Sequence, residues 1–299
     1  LGIPTTEDKV AQMAIKMLLE PIYEEEFYDY SYGYRPGQSQ HQAIECIWQK
    51  CMSLRACWIL EVDISDFFGS VDHSHLRNIL DLRVRDGVVR RLIDKWLKAG
   101  ILEGKQLYYP DSGTPQGSVI SPLLSNIYLH DVVDKWYGEI IQPLLSSRSF
   151  MVRYADDLVM GFKDKRDAER MLRVLHKRFG KYGLSLHPEK TRMTHFTPPG
   201  PGANKSGASF DFLGFTHYWA KSRKGNWAVK RKTSKKKFNQ SIRRIWEWCK
   251  DHRHMKVSKQ HAELCKKIEG HYGYYGITGN YRSLERYLRK AQRCWHYWL

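Results

Sequence analysis

The feature that most constrains the 299-residue sequence is a short apolar hairpin with acid at its tip. Met151-Val152-Arg153-Tyr154 and Leu158-Val159-Met160 read as the strands of a hairpin over Phe150–Phe162, turning around Ala155-Asp156-Asp157. Trp58-Ile59-Leu60-Glu61-Val62 reads as another apolar strand with one central charge, and it ends at Asp63. Carboxylates beside apolar strands are costly unless something cationic holds them. Three carboxylates on adjacent strands suit two Mg²⁺ ions about 3.5–4 Å apart, which activate a hydroxyl oxygen and stabilise the leaving oxygen of a phosphoryl transfer. Asp is also common in ordinary turns, so an Asp-Asp turn taken alone favours turn chemistry.

The surrounding pattern is mixed α/β. Thr5-Thr6-Glu7-Asp8 opens a helix that Pro21 is expected to interrupt or end. Ser31–Gly37 reads as a loop, 42–52, 73–80 and 88–98 as helices, and 105–109 as a short strand. A helix with one apolar face is expected over 121–137, another over 166–182, and a strand near 191–196. The loop 197–207 contains Asn204-Lys205-Ser206 but lacks the Gly before Lys that a phosphate-binding P-loop needs. Residues 211–219 and 226–229 read as strands, and the pattern beyond Ser234 is helical.

Charge is distributed unevenly. Residues 221–299 hold 22 Lys+Arg and 5 Asp+Glu, whereas residues 1–220 hold 27 of each. The whole surplus of +17 therefore lies in the last quarter, interleaved with Trp227, Trp246, Trp248, Tyr272, Tyr274 and Tyr275. Cations for phosphates beside flat rings for bases make a nucleic-acid composition. Hydrophobic residues at 42% are enough for a core, and no apolar run reaches the roughly 18 residues of a membrane span. The six cysteines include no C-x-x-C pair and read as reduced thiols. Cys249, His252, His254, His261 and Cys265 fit no zinc spacing and read as surface residues of basic helices.

Taken together, these segments resemble a family. Tyr154-Ala155-Asp156-Asp157 resembles the YxDD box of reverse transcriptases, and Asp63-Ile64-Ser65-Asp66-Phe67-Phe68 their first palm motif. Gly113-Thr114-Pro115-Gln116-Gly117-Ser118 with Ser121-Pro122-Leu123 resembles the PQG motif. Gly183-Leu184-Ser185-Leu186 with Glu189-Lys190-Thr191 resembles the motif that follows, and Phe212-Leu213-Gly214-Phe215 the primer grip. Leu1-Gly2-Ile3-Pro4-Thr5, Tyr32-Gly33-Tyr34-Arg35-Pro36-Gly37 and Gly270-His271-Tyr272 through Gly279-Asn280 are similar to group II intron-encoded reverse transcriptases/maturases. Single motifs are weak; the ordered set over essentially the full chain is specific.

The resemblance implies a right-hand polymerase. Fingers and an antiparallel palm sheet would occupy residues 1–230, and a basic helical thumb, or maturase-specific domain, residues 231–299. It implies RNA-directed DNA synthesis on an RNA template and DNA primer with dNTPs and two Mg²⁺ ions. Asp63, Asp156, Asp157 and the Ile64 carbonyl would hold the metals. Arg35 would contact the triphosphate, and Gln116, Gly117 and Ala155 would line the nucleotide pocket. Phe68 matches the steric gate against a ribose 2′-OH, with core packing as its competing role. Lys190 matches a general acid for the pyrophosphate leaving group, with a plain surface lysine as the alternative. Lys230, Arg231, Lys232, Lys235, Lys236 and Lys237 would bind nucleic acid, and structured intron RNA would be a partner.

The family's first fingers segments are expected to be missing upstream of Leu1, so the sequence reads as beginning inside a longer protein. The expected location is the cytoplasm, in a ribonucleoprotein, or an organelle in a eukaryote. Rival readings are a non-catalytic splicing factor, an RNA-dependent RNA polymerase, and a related enzyme repurposed for defence. The three retained aspartates argue against the first, and an aromatic Phe68 with the PQG segment against the second.

Overall fold

The apolar hairpin and the strand ending at Asp63 belong to one sheet. In the computed structural model of the chain, which describes residues 4–55, 57–103, 106–108, 112–115, 117–200 and 207–299, β1 spans Cys57–Val62, β4 Ser149–Tyr154, β5 Asp157–Phe162 and β6 Arg192–Phe196. Their order in the sheet is β4-β5-β1-β6. β5 runs antiparallel to both β4 and β1, with Met160 opposite Met151 on one side and Leu60 on the other. Burial of Ile59, Leu60, Met151, Val152, Val159 and Met160 explains why these strands read as apolar runs; a fully buried side chain of this size contributes about 1.5–3 kcal/mol. Because β1 and β5 are antiparallel with Val62 opposite Leu158, the C-terminal end of β1 meets the hairpin turn.

Helices close the core of this first compact unit, Leu1–His195. They are α1 (Thr6–Glu24), α2 (Gln40–Leu54), α3 (Phe67–Ser70), α4 (His73–Asp81), α5 (Gly87–Leu97), α6 (Ser121–Leu129) and α7 (Lys165–Lys181). A small ladder joins β2 (Ile101–Glu103) to β3 (Gln106–Tyr108). Thr5 caps α1 by accepting from the Asp8 amide, as its position implies. Pro21 does not end α1, which runs on to Glu24; in the last turn the lost hydrogen bond leaves few further turns to disrupt. The helix expected over 121–137 changes character: α6 gives way at Leu129 to a π-helical stretch, His130–Ile141.

The second compact unit is Phe196–Leu299. It holds the antiparallel sheet β7 (Ser209–Phe212), β8 (Phe215–Lys221) and β9 (Trp227–Thr233), followed by α8 (Lys235–Asp251), α9 (Val257–Tyr275) and α10 (Tyr281–Trp298). The single strand expected over 211–219 is instead a hairpin, broken at Leu213 (φ 47°) and Gly214 (φ 80°) with Phe212 opposite Phe215. Two successive left-handed residues are what a tight hairpin turn demands, and Leu213 hides the turn inside an apolar run. Asn280 joins the sheet to the helices of this unit: its amide donates to the Thr233 hydroxyl (2.9 Å) and the Tyr275 carbonyl (2.8 Å), and accepts from the Thr233 amide (2.9 Å). The boundary between compact units thus falls ahead of residue 230, because β7–β9 fold with the helices that follow them.

Candidate active site

Asp63 is held by the segment that follows α7. That helix ends in a Schellman turn: Gly183 takes φ +71°, its amide donates to the Gly180 carbonyl, and the Leu184 amide donates to the Phe179 carbonyl. The chain then runs beside the end of β1. Ser65 donates to the Ser185 carbonyl (2.9 Å), Ile64 bridges Leu186, and His187 donates to the Asp63 carbonyl (2.8 Å). This register delivers Lys190, whose ammonium donates to both Asp63 carboxylate oxygens at 3.0 and 3.2 Å. Two residues on, Arg192 of β6 grips Glu61 of β1 with Nε and Nη2, a bidentate pair that ties the two strands.

Asp156 occupies the two-residue turn closed by Tyr154 opposite Asp157. Ala155, the other turn residue, adopts φ +55°, a left-handed conformation that costs a non-glycine residue roughly 1–3 kcal/mol. Burial pushes the Asp156 carboxyl above its ordinary pKa, and the neighbouring Asp63 charge adds to the rise. The two carboxylates from β1 and the hairpin therefore share one electrostatic site. Asp157 opens β5 and is exposed. Among the described residues, no three His, Cys, Asp or Glu side chains stand in a ready metal-ligating group. The close acidic pair is Asp63 and Asp156, and the ammonium of Lys190 rests on the first of them. A half-buried carboxyl destabilised by a like charge, beside one already holding a cation, is a donor set that fits a divalent ion.

A few residues after Asp63 along the chain, α3 carries Phe68. Phe67 is buried and Phe68 is half-buried, the two rings meeting edge to face at 5.4 Å. The Phe68 carbonyl accepts from the Thr114 amide (2.7 Å), and the Gly113 amide donates to the Val71 carbonyl (2.7 Å). Gly113, at φ +91°, lies so close that a Cβ there would stand 2.7 Å from the Phe68 carbonyl oxygen. His73, which the sequence suggested only as a helix-start residue, is buried and pairs through Nε2 with the Gly113 carbonyl at 2.6 Å. The loop that resembles the PQG motif is thus anchored on α3 and α4. Gly117 is exposed with φ +105°; Gln116 lies outside the described residues, as do Leu1, Gly2, Ile3 and Asn204-Lys205-Ser206.

Arg35 is engaged by its own surroundings. Its guanidinium donates to Glu24, to the Tyr28 carbonyl (2.8 Å) and to the Ser31 carbonyl (2.8 Å), and lies over the Phe27 ring. With its side chain 7% exposed, the fork that suits phosphate oxygens is engaged in folding the 28–35 loop.

The remaining expected positions lie in the second unit. In the Phe212–Phe215 turn the Leu213 carbonyl accepts from Tyr274 Oη (2.8 Å) and the Gly214 carbonyl from the Ser234 amide (2.9 Å). On β9, Lys230 is half-buried, Lys232 is exposed over the Tyr218 ring, and Arg231 is buried. Arg231 therefore does not present a solvent-facing cation as its neighbours do. Lys235, Lys236 and Lys237 are exposed in the first turn of α8, which carries no acidic residue.

Three residues near the site had no role assigned from the sequence. Gly33 packs against the turn: a Cβ there would stand 2.2 Å from the Ala155 nitrogen. Tyr34, at φ +59°, has its phenol pKa raised by burial and by the nearby Asp156, Tyr154 and Asp157. Asn126 of α6 donates to the Gly33 carbonyl at 2.6 Å. The available signal was a Tyr- and Gly-rich loop, in which a glycine permits the close backbone approach seen at Gly33.

The sequence matches the family described as reverse transcriptase (RNA-dependent DNA polymerase) over residues 1–217. It is 46% identical over 132 residues to the group II intron-encoded protein LtrA of Lactococcus lactis subsp. cremoris, covering 44% of this chain and 22% of that protein. It is 34% identical over 230 residues to protein YkfC of Escherichia coli (strain K12), covering 65% of this chain and 59% of that protein. The chain thus spans less than two thirds of either relative. Among solved structures, telomerase from Candida albicans in complex with a TWJ fragment of telomeric RNA aligns with a TM-score of 0.54 at 15% identity, covering 97% of this chain and 47% of that one. At that identity the likeness is one of fold, with antiparallel sheets and helices of the fingers, palm and thumb type. The chain belongs to the reverse transcriptase (RNA-dependent DNA polymerase) family, in the group II intron-encoded reverse transcriptase/maturase group.

Proposed function

We propose that the chain is an RNA-directed DNA polymerase that extends a DNA primer on an RNA template with dNTPs. The observation that carries this reading is the convergence of Asp63 and Asp156 from antiparallel strands on one electrostatic site. Asp63 and Asp156, with Asp157 and the Ile64 carbonyl beside them, are the groups to hold two Mg²⁺ ions. When bound, such ions activate the primer hydroxyl and stabilise charge on the leaving oxygen. The protein's own groups do the rest. The anchored α3 offers the Phe68 ring as a wall against a ribose 2′-OH. Lys190, whose ammonium donates to Asp63, would give its proton to the pyrophosphate oxygen. The Phe212–Phe215 turn supports the primer, and Gly117 leaves room for close backbone approach to a nucleotide.

The basic second unit fits a thumb, beginning functionally near residue 231, that grips a template–primer duplex. Three lysines at a helix N-terminus oppose the helix dipole; local rules are broken in this way where a polyanion supplies the missing negative charge. The same surface fits structured intron RNA, so assistance to splicing is a companion role. Among the described residues no helix is long and apolar enough to cross a membrane, and the proposed setting is a ribonucleoprotein. Primer extension on RNA and DNA templates, with dNTPs or rNTPs, tests the reading. DNA synthesis on RNA is expected; rNTP-only synthesis would assign an RNA polymerase, and binding without extension a splicing factor.

A further inference from the structure

Arg153 is a charge in the middle of an apolar strand, one residue before the Tyr154-Ala155-Asp156-Asp157 segment, and its side chain is 1% exposed. Nε and Nη2 donate to the two carboxylate oxygens of Asp134, which is 0% exposed and sits in the π-helical stretch. Nη1 donates twice more, to the Ala155 carbonyl and to Asn126 Oδ1, each at 3.0 Å. Asn126 passes the connection on by donating to the Gly33 carbonyl. The backbone of Arg153 is engaged as well: its amide donates to the Tyr30 carbonyl (2.8 Å), and its carbonyl accepts from the Tyr32 amide (2.9 Å). Tyr30 Oη in turn donates to the Asp134 carbonyl (2.9 Å).

Four separate pieces of chain therefore meet at Arg153: its guanidinium joins β4 to α6 and the π-helical stretch, and its backbone holds the 30–33 segment. Their common product is the position of Ala155, left-handed and pressed against Gly33, and hence of Asp156, the next residue. A buried ion pair is a poor way to gain stability, since well-packed apolar residues often do as well or better. π-Helical turns are also common at functional sites, where they re-aim side chains. We propose that Arg153, seated by Asp134 and Asn126, is a positioning residue that sets the Ala155–Asp156 turn for catalysis. This rests on the reading of Asp156 as catalytic; misplacing a reacting group by about 1 Å costs about 10²-fold in rate.

The test separates position from stability. The double variant Arg153→Met with Asp134→Leu removes both charges and keeps apolar volume, and Asn126→Ala leaves the ion pair while cutting the bridge to Gly33. Melting temperature, RNA affinity, and the kcat and KM of dNTP addition are measured for each beside the wild type. The expected result is a melting temperature close to wild type for the double variant, with kcat reduced about 10²-fold and RNA affinity and the KM for dNTP unchanged. Asn126→Ala should lower kcat in the same selective way. Should the double variant not fold, Asn126→Ala decides alone. Wild-type kcat in a folded variant of either kind, or a loss of kcat that only follows the loss of melting temperature, overturns the inference. A wild-type protein that does not extend a primer instead overturns the polymerase reading beneath it.

Discussion

The Lys190 ammonium donates to both carboxylate oxygens of Asp63, at 3.0 and 3.2 Å. The pair exists because a Schellman turn after α7 lays residues 185–187 against the end of β1. An exposed ion pair of this kind adds at most about 1 kcal/mol to stability, so its interest is chemical: a proposed proton donor and a proposed metal ligand are kept together.

Lys190→Met removes the proton donor. Extension should slow about 10²-fold or more, with RNA binding unchanged, and Lys190→Arg should not rescue it, because guanidinium is too weak an acid. Mn²⁺ binding followed by calorimetry should tighten in Lys190→Met, since Asp63 loses a competing cation. Wild-type extension by Lys190→Met would show a surface lysine and nothing more.

Phe68 is half-buried, so Phe68→Ala should cost less than the roughly 3–5 kcal/mol of truncating a fully buried Phe. Its main effect should be on sugar selection, with ribonucleotide incorporation rising relative to deoxynucleotide incorporation in paired single-addition assays. Unchanged discrimination would assign the ring to packing against Phe67.

Much of this site was legible in the sequence because buried strands leave apolar runs and their terminal acids interrupt them. The three apolar segments, Asp63 and the Asp156-Asp157 tip stand where those runs and turn chemistry put them. The partners of Arg35 within the protein were not legible, because a guanidinium suits phosphate oxygens and backbone carbonyls alike, and only the folded 28–35 loop brings the Tyr28 and Ser31 carbonyls to it. The turn at Leu213-Gly214 was concealed by a leucine in a left-handed conformation. Arg153 carried a readable signal, a charge inside an apolar run, but its partners lie 19 and 27 residues away along the chain and on different elements.

The exposed lysines of α8 are expected to act on nucleic acid and to do little for the fold. Replacing Lys235, Lys236 and Lys237 by Gln should leave stability equal or slightly higher, since cations at a helix N-terminus are unfavourable. The salt dependence of RNA binding should flatten by about 0.7–0.9 in log–log slope for each phosphate that is no longer neutralised. An unchanged slope places the binding surface elsewhere.

Two buried histidines make the second unit sensitive to acid. Burial lowers the pKa of His217 to about 3, with the Arg231 charge adding to the effect, and that of His271, stacked on Tyr287 at 3.7 Å, to about 4. The unfolded chain takes up these protons near the ordinary value of 6.5, so the folded state binds fewer of them in between. Stability is therefore full above about pH 7 and falls as pH drops toward 4, by up to about 3 kcal/mol for His271. Thermal melts of His271→Phe should lose part of this slope. A pH profile identical to wild type would contradict it.

The central claim is that Asp63 and Asp156 form the catalytic acid pair of a DNA-synthesising site, and Asp156→Ala tests it most directly. Single-turnover extension of a DNA primer on an RNA template is measured beside RNA affinity, for the variant and the wild type. The wild type should extend the primer, Asp156→Ala should not, and both should bind RNA with equal affinity. Extension by Asp156→Ala at the wild-type rate would contradict the claim.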